Sequence, residues 1–159
     1  LQKELTAYDG ETLKPHILDE IGQERTKPRM PRLAEALKDK DRNILIFTDG
    51  GFVEKTQAGS FAVHIIVDGK SDYTSATRVE GALSSFEMEL RAIYDALRAL
   101  PTSLDIHLVT DSKSAIDAIE AKKTENKVNQ VARYEALLKK IVSILKKRDE
   151  EMVNTKFTF

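Results

Sequence analysis

The sequence predicts an α/β domain on a mixed five-stranded sheet, and three observations predict it. Three apolar runs with strand periodicity come first, separated by turn signals. A strongly periodic helix then leads into a fourth strand, and two more helices lead into a fifth. The order β-β-β-α-β-α-α-β gives an antiparallel three-strand meander plus two parallel strands. A strand–helix–strand series makes a right-handed crossover, which places the fourth strand beside the first.

Each element has its own signal. Ile44-Leu45-Ile46-Phe47-Thr48-Asp49 is a short apolar run closed by Asp49-Gly50-Gly51, read as a buried strand ending in a turn. Gly59–Val67 puts Phe61, Val63, Ile65 and Val67 on one face of a second strand. Asp68-Gly69 marks a hairpin, and Ser71–Val79 returns from it. Ser84–Leu100 is a helix, with Phe86, Leu90, Ile93 and Leu97 along one stripe and Pro101 as its stop. The fourth strand lies in Asp105–Asp111. Ser112 then caps a helix that runs to about Ala121.

Residues 127–148 read as a long amphipathic helix. Val131, Tyr134, Leu138, Ile141 and Leu145 face inward, and Lys139, Lys140, Lys146 and Lys147 face outward. Residues 1–42 hold three of the four prolines and no strong periodicity, and are read as a connector or N-terminal arm. The helical candidate there is Arg32–Lys40, behind Pro31. Residues 43–159 form the domain proper. The chain begins at Leu1 and stops inside the alternating Lys156-Phe157-Thr158-Phe159, as a segment of a longer polypeptide would.

Composition narrows the function. With no Cys among 159 residues, disulfides, thiolate zinc sites and cysteine nucleophiles are impossible, and an intracellular, reducing setting is expected. No apolar run approaches the roughly 18 residues of a membrane span. The net charge of −1 hides an asymmetry. Residues 1–111 carry 14 Lys and Arg against 19 Asp and Glu, giving −5, and residues 112–159 carry 11 against 7, giving +4. A basic C-terminal side suits an anionic partner, and equally a solvated helix face.

Three acids carry the chemistry. Asp49 and Asp111 both follow a strand in a Thr-Asp pair, so parallel neighbours would bring them side by side at the carboxyl end of the sheet. On the intervening helix, Glu89 falls at the edge of the sheet-facing stripe. Arg91 and Asp95 point to solvent on the same wheel, and Glu87 lies on the opposite flank. Each acid has a milder reading: a turn former, a helix cap, an amphipathic boundary. Their convergence from three elements favours chemistry. At about 5 Å and an effective dielectric of about 20, each pair repels by roughly 3 kcal/mol, which a divalent cation would relieve. Hard oxygen donors suit Mg²⁺ or Mn²⁺ rather than zinc, and such a cluster can hold two ions.

Thr48-Asp49-Gly50-Gly51, Ser84-Ser85-Phe86-Glu87-Met88-Glu89-Leu90-Arg91-Ala92-Ile93 with Ala96-Leu97, and Thr110-Asp111-Ser112 with Ala115-Ile116 together resemble the retroelement-type ribonuclease H domain. The likeness covers about Asn43 to Phe159, and implies a ribonuclease H-like sheet with helices on both faces. It implies that Asp49, Glu89 and Asp111 bind two Mg²⁺ ions, with Mn²⁺ able to substitute, and cut the RNA strand of an RNA–DNA hybrid. One metal would activate a water and the other would stabilise the departing 3′ oxygen. Gly50, Gly51, Ser85 and Ser112 would touch the hybrid's minor groove, where 2′-hydroxyls mark RNA.

The resemblance also implies a place in a reverse transcriptase polyprotein of a retrotransposon. The family has a His after its fifth strand and a fourth Asp on a following helix. The chain ends at Phe159 before either, so the C-terminal end reads as truncated; His16, His64 and His107 lie in the arm or in strands. The rival reading is a catalytically incomplete domain that binds nucleic acid or partners. Integrase-like enzymes place their helical acid last and proofreading exonucleases use Asp-x-Glu on one strand, so both fit less well.

Overall fold

The structure, a computed structural model, describes residues 30–38, 42–124 and 132–159. Most of the expected connector, including His16, lies outside them, as do Asp39, Lys40 and the segment 125–131 with Val131. The elements run α1 (Pro31–Ala36), β1 (Ile44–Val53), β2 (Ala58–Val67), β3 (Lys70–Glu80), α2 (Ser85–Ala99), β4 (Ile106–Thr110), α3 (Lys113–Lys123), α4 (Ala132–Glu150) and β5 (Thr155–Thr158). The sheet order is β3-β2-β1-β4-β5. β1 is antiparallel to β2 and β2 to β3, whereas β4 is parallel to both β1 and β5. This is the mixed five-stranded sheet that the order of elements predicts.

One strand end differs from expectation. Asp49-Gly50-Gly51 is not a turn: β1 continues through it to Val53, because β2 pairs with it along its whole length, from Ile44↔Val67 to Val53↔Ala58. The reversal comes later, around Gln57 at φ 54°. Gly50 is required where it stands for a different reason. A Cβ there would lie 2.5 Å from the Glu89 nitrogen and 2.6 Å from the Met88 carbonyl carbon, so only glycine lets α2 come this close.

The strand residues of the buried core point to one face of the sheet: Ile44 and Ile46 from β1, Phe61, Val63, Ile65 and Val67 from β2, Val79 from β3, Ile106 and Leu108 from β4. Against this face lies α2, capped by Ser84, whose Oγ accepts the Glu87 N–H at 3.1 Å. On the opposite face Phe47 is 40% exposed and Leu45 and Val109 are half-buried.

A second difference concerns α2 itself. Arg91 and Asp95, read from the wheel as solvent-facing, are 0% and 1% exposed, and Glu87 on its far flank is 0% exposed. All eleven residues from Glu87 to Leu97 are buried. The cause is α4, which covers the outer side of α2 and buries its own Tyr134, Leu137, Leu138, Ile141, Val142 and Leu145. The helix is sandwiched.

Two side chains tie the periphery down. Asp72 on β3 accepts the Arg32 and Leu33 N–H groups, each at 3.0 Å, and so caps α1 from outside the helix. At the other end Arg148 is buried with its guanidinium spread over backbone. It donates to Pro101 O at 3.0 Å, to Thr155 Oγ1 at 2.6 Å and to Leu104 O, binding the loop after α2 to the start of β5. Arg148→Met, which leaves these acceptors buried without donors, is expected to lower unfolding stability by about 2–4 kcal/mol. Urea denaturation measures this, and Arg148→Lys should recover only part of the loss because an ammonium lacks the guanidinium fork.

Candidate metal centre

The parallel register of β1 and β4 sets Thr48 beside Thr110. The next residues, Asp49 and Asp111, therefore leave adjacent strands at the same level, although β4 ends there and β1 does not. The close approach at Gly50 brings the second turn of α2 over the same point. One carboxylate oxygen from each of Asp49, Glu89 and Asp111 lies within 4.8 Å of the other two. The two aspartates are exposed and Glu89 is 7% exposed, so the cluster opens to solvent with its glutamate as the floor.

The Gly50 N–H is shared between two of these acids, donating to Asp49 Oδ1 at 2.9 Å and to Glu89 Oε1 at 3.1 Å. Thr110 Oγ1 stands 3.5 Å from Glu89 Oε2 and accepts the Ser112 N–H at 3.1 Å. These donors are too few for three carboxylates. Burial, and then the charges of Asp111 and Asp49, raise the Glu89 carboxyl to about 7, against the smaller opposing pull of the Gly50 and Thr110 hydrogen bonds. A cluster that resists its own ionisation in this way has the donor set of a divalent cation site: hard oxygens, excess negative charge, one open side. The residues fit Mg²⁺ or Mn²⁺.

The remaining candidates flank the three acids along the chain. Ser85 opens α2 and is exposed. Ser112 caps α3, its Oγ accepting the Ala115 N–H at 3.2 Å. Gly51 follows in β1, half-buried beside Ser60. Neither described histidine joins them: His64 Nε2 pairs with Ser71 Oγ at 2.9 Å, and His107 Nε2 with Thr158 Oγ1 at 2.5 Å. Two contributors escaped the sequence. The Gly50 N–H and Thr110 Oγ1 both hold Glu89, and their one visible signal was the Thr-Asp pair repeated at β1 and β4.

A family model described as RNase H matches residues 41–159. The chain belongs to the RNase H family. Two solved structures share its fold, both of LC11-RNase H1: one in complex with an RNA/DNA hybrid, the other of the enzyme isolated from compost by a metagenomic approach. The first is 20% identical to this RNase H domain with a TM-score of 0.57, covering 73% of this chain and 83% of its own. The second is 21% identical at the same TM-score, covering 73% and 82%. No relative is found among the curated proteins.

The raised Glu89 carboxyl has a consequence for stability. Its folded value lies above the ordinary 4.5, so the metal-free native state binds the proton more tightly than the unfolded chain. Stability in chelator is therefore expected to be greatest below about 4.5, as far as Glu89 contributes, and to fall as pH rises through about 7. Thermal melts of Glu89→Gln against wild type across this window check it: the variant should lose that part of the slope.

Proposed function

We propose that this domain hydrolyses the RNA strand of RNA–DNA hybrids in a reaction dependent on divalent metal, with Asp49, Glu89 and Asp111 as the metal ligands. The observation that carries the reading is the convergence of three acids from β1, α2 and the end of β4 within reach of one ion. When bound, Mg²⁺ or Mn²⁺ would supply Lewis acidity for the attack of water on the phosphodiester and for departure of the 3′ oxygen. The protein's own part is placement. Gly50 N–H and Thr110 Oγ1 aim Glu89, and loading the site requires Glu89 to give up the proton that burial and its neighbours favour.

Substrate recognition falls to the rim. Exposed Ser85 at the start of α2, Ser112 at the start of α3, and the backbone of Gly50 and Gly51 flank the acids along the chain and would meet a minor groove laid across them. The 2′-hydroxyl displayed there is the group that separates RNA from DNA. Farther off, Lys139, Lys146 and Lys147 are exposed on α4 and Lys122 ion-pairs with Glu135, giving a basic surface suited to a phosphate backbone. Among the described residues no helix is long and apolar enough to cross a membrane.

The ordered motifs also support a narrower reading, in which the domain serves a retroelement reverse transcriptase. Its test is genetic: the parent gene should encode a polymerase domain in the same reading frame. A second reading, a domain that holds hybrid without cutting it, is favoured by one observation, that the cluster contains three carboxylates.

Cleavage assays separate the two. With a labelled hybrid and Mg²⁺ the RNA strand should be cut and a DNA duplex spared, and Asp49→Asn should lose more than about 100-fold in rate. Hybrid binding without any cleavage would establish the second reading. For the basic surface, neutralising Lys139, Lys140, Lys146 and Lys147 should make the dependence of log affinity on log salt shallower, by up to about 0.9 for each phosphate no longer neutralised.

A further inference from the structure

Behind Glu89, on the flank of α2 turned away from the sheet, lies a buried charge cluster that the acid site does not use. Glu87 is fully buried. Its Oε1 accepts the Leu83 N–H at 3.0 Å, and its Oε2 faces two guanidiniums. One belongs to Arg91, a turn further along α2, at 3.5 Å from Nη2, and the other to Arg133 at the start of α4, in direct contact through Nε. The adjoining residue of α4 repeats the tie. Tyr134 Oη meets Ser84 Oγ at 2.5 Å, and its ring packs edge-on against Phe86 at 5.2 Å between centroids. Two consecutive residues of α4 thus hold Ser84, Phe86 and Glu87, the turn immediately before Glu89.

Two acids and two guanidiniums meet here: Glu87 has Arg91 of its own helix at 3.5 Å, and Asp95, one turn beyond Arg91, is buried as well. Arg133 is the member that crosses between helices. Its removal takes away the contact that joins Glu87 to α4 and leaves the carboxylate the Leu83 N–H and the Arg91 contact at 3.5 Å. A cation site whose ligands come from three separate elements depends on such attachment, since a small displacement of one ligand loses much of the affinity.

We infer that Arg133 is a positioning residue: by gripping the Glu87 carboxylate it fixes the first turn of α2 against α4, and so sets where Glu89 and Ser85 stand. The inference rests on the reading of Asp49, Glu89 and Asp111 as a metal site. Mn²⁺ binding to the full chain, followed by calorimetry or electron paramagnetic resonance, tests it without relying on activity. Arg133→Met should weaken Mn²⁺ about tenfold. Arg133→Lys, which keeps a cation in reach of Glu87, should restore most of the affinity.

Leu145→Ala, which truncates a buried side chain about three turns further along α4, is the control for stability. It should lower the melting temperature at least as much as Arg133→Met yet bind Mn²⁺ as wild type does. Wild-type Mn²⁺ affinity in Arg133→Met overturns the inference alone, and so does a weakening in Leu145→Ala that matches it. If wild type fails to bind Mn²⁺, or Asp49→Asn binds it equally well, the metal-site reading falls and the inference with it.

Discussion

Mutual repulsion of three carboxylates is the constraint on which the rest of this structure turns. Asp49, Glu89 and Asp111 gather within 4.8 Å, and the cost shows in the one buried member, whose carboxyl rises to about 7. No relaxation within the cluster removes that cost, because each acid is anchored to a different element. The tension is held by backbone: a parallel pairing of β1 with β4, and a helix pressed onto β1 at a glycine. A cation bound on the open side would offset it, and affinity for metal and instability without it would then have a single source.

Holding the acids in place requires α2 to be clamped from both sides. Its inner stripe meets β1 and β2, as any amphipathic helix over a sheet would. Its outer side is closed by α4, and there Glu87, Arg91 and Asp95 are buried alongside the apolar residues of α4. A fully buried Glu87, Arg91 and Asp95 on one helix is an expensive choice unless the partners are paired, as Glu87 is with Arg91 and Arg133. Apolar packing would hold the helix as firmly but would let it slide. Directional contacts at Ser84, Phe86 and Glu87 define its rotation and its register along α4.

Much of this was legible in the residues themselves. Alternation placed Phe61, Val63, Ile65 and Val67 on the core face, and Ser84 and Ser112 cap their helices as their position before periodic segments implied. The three acids of the site were legible because each sits at a place defined by local pattern plus one topological rule, the right-handed crossover. Two readings missed for the same kind of reason. Asp49-Gly50-Gly51 has the composition of a turn, but β2 pairs straight past it, and its glycine answers to a helix backbone rather than to a bend. The wheel sent Arg91 and Asp95 to solvent because a wheel knows only the face a helix turns to one neighbour.

Periodicity, caps and the order of elements thus determined by themselves the mixed sheet, the candidate acids and the elements that bear or precede them. These are local quantities, written in residues that lie next to one another or one turn apart. Only the tertiary structure decided how far β1 runs, that the Gly50 N–H is shared between Asp49 and Glu89, and that α4 buries the far side of α2. Each of those depends on the approach of segments remote along the chain, where backbone hydrogen bonding and close packing, not propensity, determine which groups meet.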